Sequence, residues 1–250
     1  MTAVPVDLVV LTLLVLVAAV LYSSGGHAGA SAYLAIMALY SVAPAVMRPT
    51  ALVMNIAVAS IGSTRFIRAR AIPWHLIGPL CAGSIPAAFA GGLIKLSPGS
   101  YLLLLGAVLL AAALFLWIRP RSPVMKKPPA RAWLVAIGAV LGFVAGLTGI
   151  GGGIFLSPLL ILTGWEEPRR TSGAAAIFIL VNSILGLLGR LSSVAVIPPQ
   201  AIPLAIAAIC GGLVGSWIGV NRLSPIVLRR IHSVVVLLSG VKLLYEGLRF

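Results

Sequence analysis

The chain has 250 residues, 60% hydrophobic and 9% charged, with eighteen Lys and Arg against four Asp and Glu. That balance excludes an ordinary soluble domain and places the protein in a lipid bilayer. The formal charge of +14 reflects either basic cytoplasmic loops or attraction for an anionic substrate or lipid. The loops are taken as the main cause, because most basic residues fall in short connections.

Ten apolar segments follow in chain order. The first, 5–22, has no basic start, and Asp7 precedes its apolar run, so it reads as a membrane segment and not as a cleavable leader. A glycine-rich run comes next, SSGGHAGAS from Ser23 to Ser31, with Gly25, Gly26 and Gly29 around His27. Segments 29–44, 49–64, 73–94 and 100–118 complete a first set. A basic, proline-rich linker then runs from Arg119 to Arg131 (RPRSPVMKKPPAR). The second set is 132–147, 152–163, 171–189, 200–220 and 226–247. The expected organisation is a membrane repeat over 1–118, a cytoplasmic linker over 119–131 and a second membrane repeat over 132–250. Cys81 and Cys210 lie in apolar segments and fit packing better than a disulfide or a zinc site.

The two sets share landmarks in one order. IPW at 72–74 answers IPP at 197–199, LCAG at 80–83 answers ICGG at 209–212, and LSP at 96–98 answers LSP at 223–225. Gly83, Ala87 and Gly91 recur every four residues, as do Gly211, Gly215 and Gly219. Small residues at that spacing let membrane helices pack closely. With ten crossings and the linker inside, thirteen basic residues lie inside and five (Arg48, Lys95, Arg190, Lys242 and Arg249) outside. Making 29–44 and 152–163 re-entrant without crossing weakens that bias, so ten crossings are expected. An odd number per set inverts the second repeat relative to the first, a recurrent plan of secondary transporters. The expected fold is an all-α polytopic membrane protein of two inverted repeats in the inner or plasma membrane. Both termini are then on the outer side.

One stretch is built to break: GLTGIGGGIFLSPLL, Gly146 to Leu160. Irregular backbone at membrane depth occurs where protein buries it or where it lines a wet cavity. The run from Thr148 to Gly153 should unwind, and a new helix should start inside the protein near Gly153. Its free N–H groups and positive dipole end suit an anion. Side chains at Gly149, Gly151, Gly152 or Gly153 would keep a ligand off those amides. Pro158 adds a kink one turn later. The first-half counterpart holds Gly26, His27 and Gly29, and the two breaks are expected to meet near the midplane. The competing reading makes both runs tight turns joining short helices.

The other candidates are polar groups in apolar segments. The amides of Asn55 and Asn182, and Ser183 beside the latter, can serve an oxyanion or hold a neighbouring helix. Thr171 and Ser172 open their segment and fit a helix cap equally well. Ser31, Thr148 and Ser157 flank the breaks. Arg65 and Arg190 stand at segment ends, as snorkelled interfacial charges or as gate charges for an anion. His27 is the candidate proton carrier; His75 and His232 are scattered. Asp7, Glu166, Glu167 and Glu246 all lie near segment ends. That disfavours a carboxylate-relay pump and a divalent-cation carrier. There is no phosphate-cradling GxxxxGK[ST] loop and no acid–base constellation inside the membrane, so an enzyme is not expected.

The stretch from Gly146 to Leu160 resembles the glycine-rich signature of the sulfite exporter TauE/SafE family. The following RRTSGAAAIFILVNSILG, 169–186, resembles its polar segment. Gly149, Gly151, Gly152, Gly153 and Pro158 match the motif, and Thr171, Ser172, Asn182 and Ser183 match the polar positions. The first half departs from it, lacking the triple glycine and the spaced proline. The resemblance implies transport of sulfur-containing or carboxylated organic anions such as sulfite or sulfoacetate. The inverted repeat implies alternating access, with two five-helix halves rocking about a shared site. An anion channel of the same architecture and a non-transporting assembly subunit stay open. The expected partners are a small anion and the bilayer, with no nucleic acid, metal or cofactor. Coupling to Na+ or H+ and the oligomeric state are left open.

Overall fold

The computed structural model describes residues 8–24, 29–117, 125–193, 197–218 and 225–250. Gly26 and His27 lie outside the described residues, as do linker residues 119–124 and the 219–224 connection. The described residues form ten helices and no strand: α1 (Leu8–Ser24), α2 (Ala30–Leu39), α3 (Pro44–Arg68), α4 (Trp74–Leu93), α5 (Pro98–Trp117), α6 (Arg131–Thr148), α7 (Gly153–Thr163), α8 (Pro168–Ser193), α9 (Ala201–Ile218) and α10 (Pro225–Gly247). Five of them, α3, α4, α5, α6 and α8, are long and apolar enough to cross a bilayer.

Helices α2 and α7 have ten and eleven residues. At 1.5 Å per residue each is about 15 Å long, half of a hydrocarbon core of about 30 Å. The expectation of ten full crossings is corrected at these two. A proline explains the shorter α2. Pro44 holds the preceding Ala43 extended at ψ 136°. The chain therefore leaves the helix near Tyr40, turns through Ser41 at φ +52°, and starts α3 with Pro44 in the first turn.

The described basic residues still fall on two opposite faces. The Lys126 N–H donates to the Gly164 carbonyl at 2.8 Å, so α7 brings the chain back to the linker. Glu166 reaches His75 at 4.0 Å and Arg170 at 3.9 Å, and Gly173 abuts the Ala71 carbonyl. These contacts gather Arg65, Arg68, Arg70, Lys126, Lys127, Arg169 and Arg170 on one face, the linker face. On the opposite face Lys242 donates to the carbonyls of Ala38 (2.8 Å) and Leu39 (2.7 Å). There Gly99 also meets Phe250 and Arg48 meets Ile94. Lys95, Arg190, Lys242 and Arg249 lie at this carboxyl-terminal face.

The two sequence halves interlock. Helix α4 packs on α6 and α8, α1 and α3 pack on α9, α5 packs on α10, and α3 packs on α8. Exchanging first-half helices for their second-half mates reproduces the main pairings. Buried apolar side chains divide the same way. One cluster joins α4, α6, α7 and α8 through Leu76, Leu80, Leu134, Leu156, Leu160 and Phe178. The other joins α1, α2, α3 and α9 with α5 and α10, through Val15, Leu34, Met54, Leu105, Leu204 and Val236. Glycines set the closest approach. Gly138, Gly142 and Gly146 of α6 lie against the backbone of Leu80, Ser84 and Ala88 of α4, and Gly211 and Gly215 of α9 lie against that of Leu16 and Val20 of α1. The expected tight packing at Gly83, Gly91, Gly211 and Gly215 is present, and it joins one half to the other.

Candidate functional site

Helix α6 stops at Thr148. The Thr148 hydroxyl donates back to the Val144 carbonyl at 2.7 Å and accepts the Ile150 N–H at 3.3 Å. Gly149, Gly151 and Gly152 then adopt φ of +84°, +80° and +81°, a region that side-chain-bearing residues enter only with strain. Helix α7 starts at Gly153 with Gly152 as its left-handed N-cap and no capping side chain. The Gly152 carbonyl accepts from Phe155 and Leu156. The N–H groups of Gly151, Gly152, Gly153 and Ile154 have no acceptor among the described residues. A left-handed residue followed by helical ones turns successive N–H groups into one concavity, and the α7 dipole adds positive potential there.

Unwinding also frees carbonyls, and two of these are satisfied by side chains of other helices. The Asn55 amide donates to Gly149 at 3.0 Å, and the Tyr101 hydroxyl donates to Thr148 at 3.0 Å. Helix α8 closes the other side. A Cβ on Gly151 would lie 2.9 Å from Ile179, 3.1 Å from the Ser183 hydroxyl and 3.2 Å from the Asn55 amide nitrogen; one on Gly152 would lie 2.8 Å from the Phe178 ring. Asn55, Asn182 and Ser183 are fully buried. Yet Asn55 Oδ1, both polar atoms of Asn182 and Ser183 Oγ have no partner among the described residues. Each such group costs about 1–3 kcal/mol if nothing answers it. The concavity is thus a backbone N–H nest flanked by uncommitted amide and hydroxyl groups at the middle of α3 and α8.

Residues 11–243 match the family model described as sulfite exporter TauE/SafE. The chain belongs to the TauE/SafE family. It is 37% identical to the probable membrane transporter protein y4hK of Sinorhizobium fredii (strain NBRC 101917 / NGR234), over 92% of this chain and 95% of that protein. It is 30% identical to the probable membrane transporter protein YjnA of Bacillus subtilis (strain 168), over 88% and 92%. No solved structure matches it.

Within this family member the break brings together Asn55, Gly149, Gly151, Gly152, Gly153 and Ser183, with Asn182 and Thr148 adjoining in the chain. Other candidates fall elsewhere. Ser157 is buried one turn into α7, with an unpartnered hydroxyl. Thr171 is buried with an unpartnered hydroxyl too, but it stands about 18 Å along α8 from Ser183. Ser172 donates to the Pro168 carbonyl at 3.2 Å. Gly29 is the N-cap of α2 and lies 2.9 Å from the ring of buried Tyr33 by its absent Cβ; Ser31 is buried in the first turn. Arg65 is exposed at the linker end of α3, where its carbonyl takes the Ala69 N–H.

Arg190 sits differently. Helices α3 and α8 run antiparallel with regular register: Leu52 faces Gly186 and Gly62 faces Ala176, while Asn55 and Ser183 meet at Gly151. One turn beyond Leu52 the register sets Arg190 beside Arg48, a residue the sequence reading left among the loop charges. Arg48 lies inside α3 and is only 2% exposed. Its guanidinium donates to Gly91 (2.7 Å), Gly92 (3.0 Å) and Ile94 (3.0 Å) at the end of α4. The signal that finds it is Pro44: a first-turn proline starts the helix early enough to include Arg48. Tyr101 was missed as well, since a tyrosine opening an apolar segment looks like an interfacial anchor.

Proposed function

We propose that the protein is a secondary transporter of a small anion, of the sulfite, sulfonate or related organic-anion class, working by alternating access. The observation that carries this reading is the run of unpartnered N–H groups from Gly151 to Ile154, beside the Asn55 amide and the unpartnered Ser183 hydroxyl in a buried break. N–H donors, hydroxyls and amides solvate an oxyanion without a fixed countercharge. The sulfur-containing class comes from the family. The reading includes no resident cofactor, and it places the linker face in the cytoplasm of an inner or plasma membrane.

The interlocked packing redefines which bodies would move. Helix α4 travels with α6, α7 and α8, and α9 travels with α1, α2 and α3. The two bodies meet along α3 and α8, beside the break. Alternating exposure then needs that seam to shift while the glycine-locked pairs stay intact.

The test is melting of the purified protein against sulfite, thiosulfate, sulfoacetate, acetate and chloride, followed by flux of the stabilising anion into proteoliposomes. A ligand held only by the folded state raises the melting temperature with dose. The expected result is a shift for one oxyanion class that is lost in Gly151→Ala. A folded protein that no anion stabilises and that carries none of them overturns the reading.

A further inference from the structure

We propose that Arg48 and Arg190 form a second anion subsite, a two-guanidinium vestibule for a small carboxylate, sulfonate or similar oxyanion at the carboxyl-terminal face. The proposal rests on the transporter reading and adds a place where the substrate waits before the break. The antiparallel register of α3 and α8 sets the two arginines side by side, and both meet Gly92: Arg48 donates to its carbonyl at 3.0 Å, and the Arg190 backbone nitrogen is 3.1 Å from its Cβ position. No described carboxylate neutralises them. Glu166 faces His75 and Arg170, Glu246 faces Lys242 at 3.5 Å, and Glu167 begins α8 at the linker face. Like charges held together at low dielectric call for an anion.

The donors are also uncommitted where it matters. Arg48 spends its two terminal nitrogens on α4 carbonyls, yet its buried Nε has no partner. The half-buried Arg190 guanidinium has no hydrogen bond or ion pair among the described residues. Capping α4 accounts for part of Arg48 and for nothing of Arg190. A guanidinium fork suits two oxygens of one oxyanion.

The pair also adjoins the break. The Arg48 side chain is 3.3 Å from the Cβ position of Gly149. The Tyr101 hydroxyl holds the Thr148 carbonyl on the same side of the break. Along α3, Arg48 stands about 10 Å from Asn55. A dehydrating anion therefore passes from fixed positive charge to neutral N–H donors, binding first by charge and then by geometry. Positive charge at a mouth raises the local anion concentration and the on-rate, and salt screens that gain.

The experiment is sulfite uptake into proteoliposomes with wild type, Arg190→Gln, Arg48→Lys and Ser183→Ala, alongside the melting temperature without anion. Arg190→Gln is expected to raise KM tenfold or more, leave Vmax within about twofold, flatten the salt dependence of uptake and leave the anion-free melting temperature unchanged or higher. Arg48→Lys keeps the charge and loses the fork, so its KM should lie between those two proteins. If Ser183→Ala raises KM and Arg190→Gln does not, the vestibule is wrong and the break site stands. If Arg190→Gln lowers the anion-free melting temperature with KM unchanged, the pair is structural and the proposal fails. If wild type neither binds nor carries sulfite or any other anion tested, both readings fall together.

Discussion

The seam between α4 and α6 and the seam between α3 and α8 are both contacts across the sequence halves, and they are built oppositely. On the first, Gly138, Gly142 and Gly146 bring backbone against backbone, with no room for a Cβ. On the second, Leu52 faces Gly186 and Gly62 faces Ala176 at ordinary van der Waals separation, with Cβ contacts of 3.6 Å and 3.7 Å. Unpartnered polar atoms of Arg48, Thr50, Asn55, Ser63, Thr171, Asn182 and Ser183 lie along these two helices. A close-packed backbone seam has one deep minimum, because any slide forfeits many small contacts at once. A looser seam with unanswered polar groups can be re-paired by a ligand or by water. The comparison assigns rigidity to α4–α6 and α1–α9, and change to α3–α8.

Gly138→Val should break the comparison hardest. Its Cβ would enter the backbone of Leu80, so a loss of about 3 kcal/mol or more is expected, read as loss of monodisperse protein in detergent. Next comes Tyr101→Phe, which strands the Thr148 carbonyl; we expect about 1–3 kcal/mol of destabilisation by thermal melting, with the anion-dependent shift weakened. Ser183→Ala is the sign test. Deleting an unpartnered buried hydroxyl should leave the anion-free protein as stable or up to about 1 kcal/mol more stable, while the anion-dependent shift shrinks. If Ser183→Ala melts well below wild type, its hydroxyl has a structural partner and the seam is less free than argued. Gly62→Ala should do least. Its Cβ meets only Ala176 at 3.7 Å, so melting and flux should stay near wild type, in contrast to Gly138→Val.

Much of this was legible in the residues. Each apolar segment became a helix, because apolar runs between prolines, glycines and arginines leave few other structures in lipid. The break at Thr148–Gly153 fell where glycine density put it, with three of its glycines at positive φ. The grouping of Arg65, Arg68, Arg70, Arg169 and Arg170 with the described end of the linker followed from charge alone. Helix ends were less legible. Segment 49–64 becomes α3 over Pro44–Arg68 because Pro49 reads as a boundary, whereas Pro44 is the true first-turn proline. Partner choice was not legible at all. The spacing of Gly83 and Gly91 announces a close neighbour but carries no mark that the neighbour is α6. Arg48 was hidden for the same reason: what surrounds it is the end of α4, more than forty residues away in the chain.

The interlock has a consequence for biosynthesis. When α1 emerges from the ribosome, the glycines that will seat Leu16 and Val20 are on α9 and have not been translated. Helix α4 must wait in the bilayer with its close-packing surface facing lipid until α6 is translated, and α1 must wait until α9 is. A stop before α6 would therefore release a chain that quality-control proteases meet as largely unpaired membrane helices, and a stop between α8 and α9 would still leave the close-packing face of α1 bare.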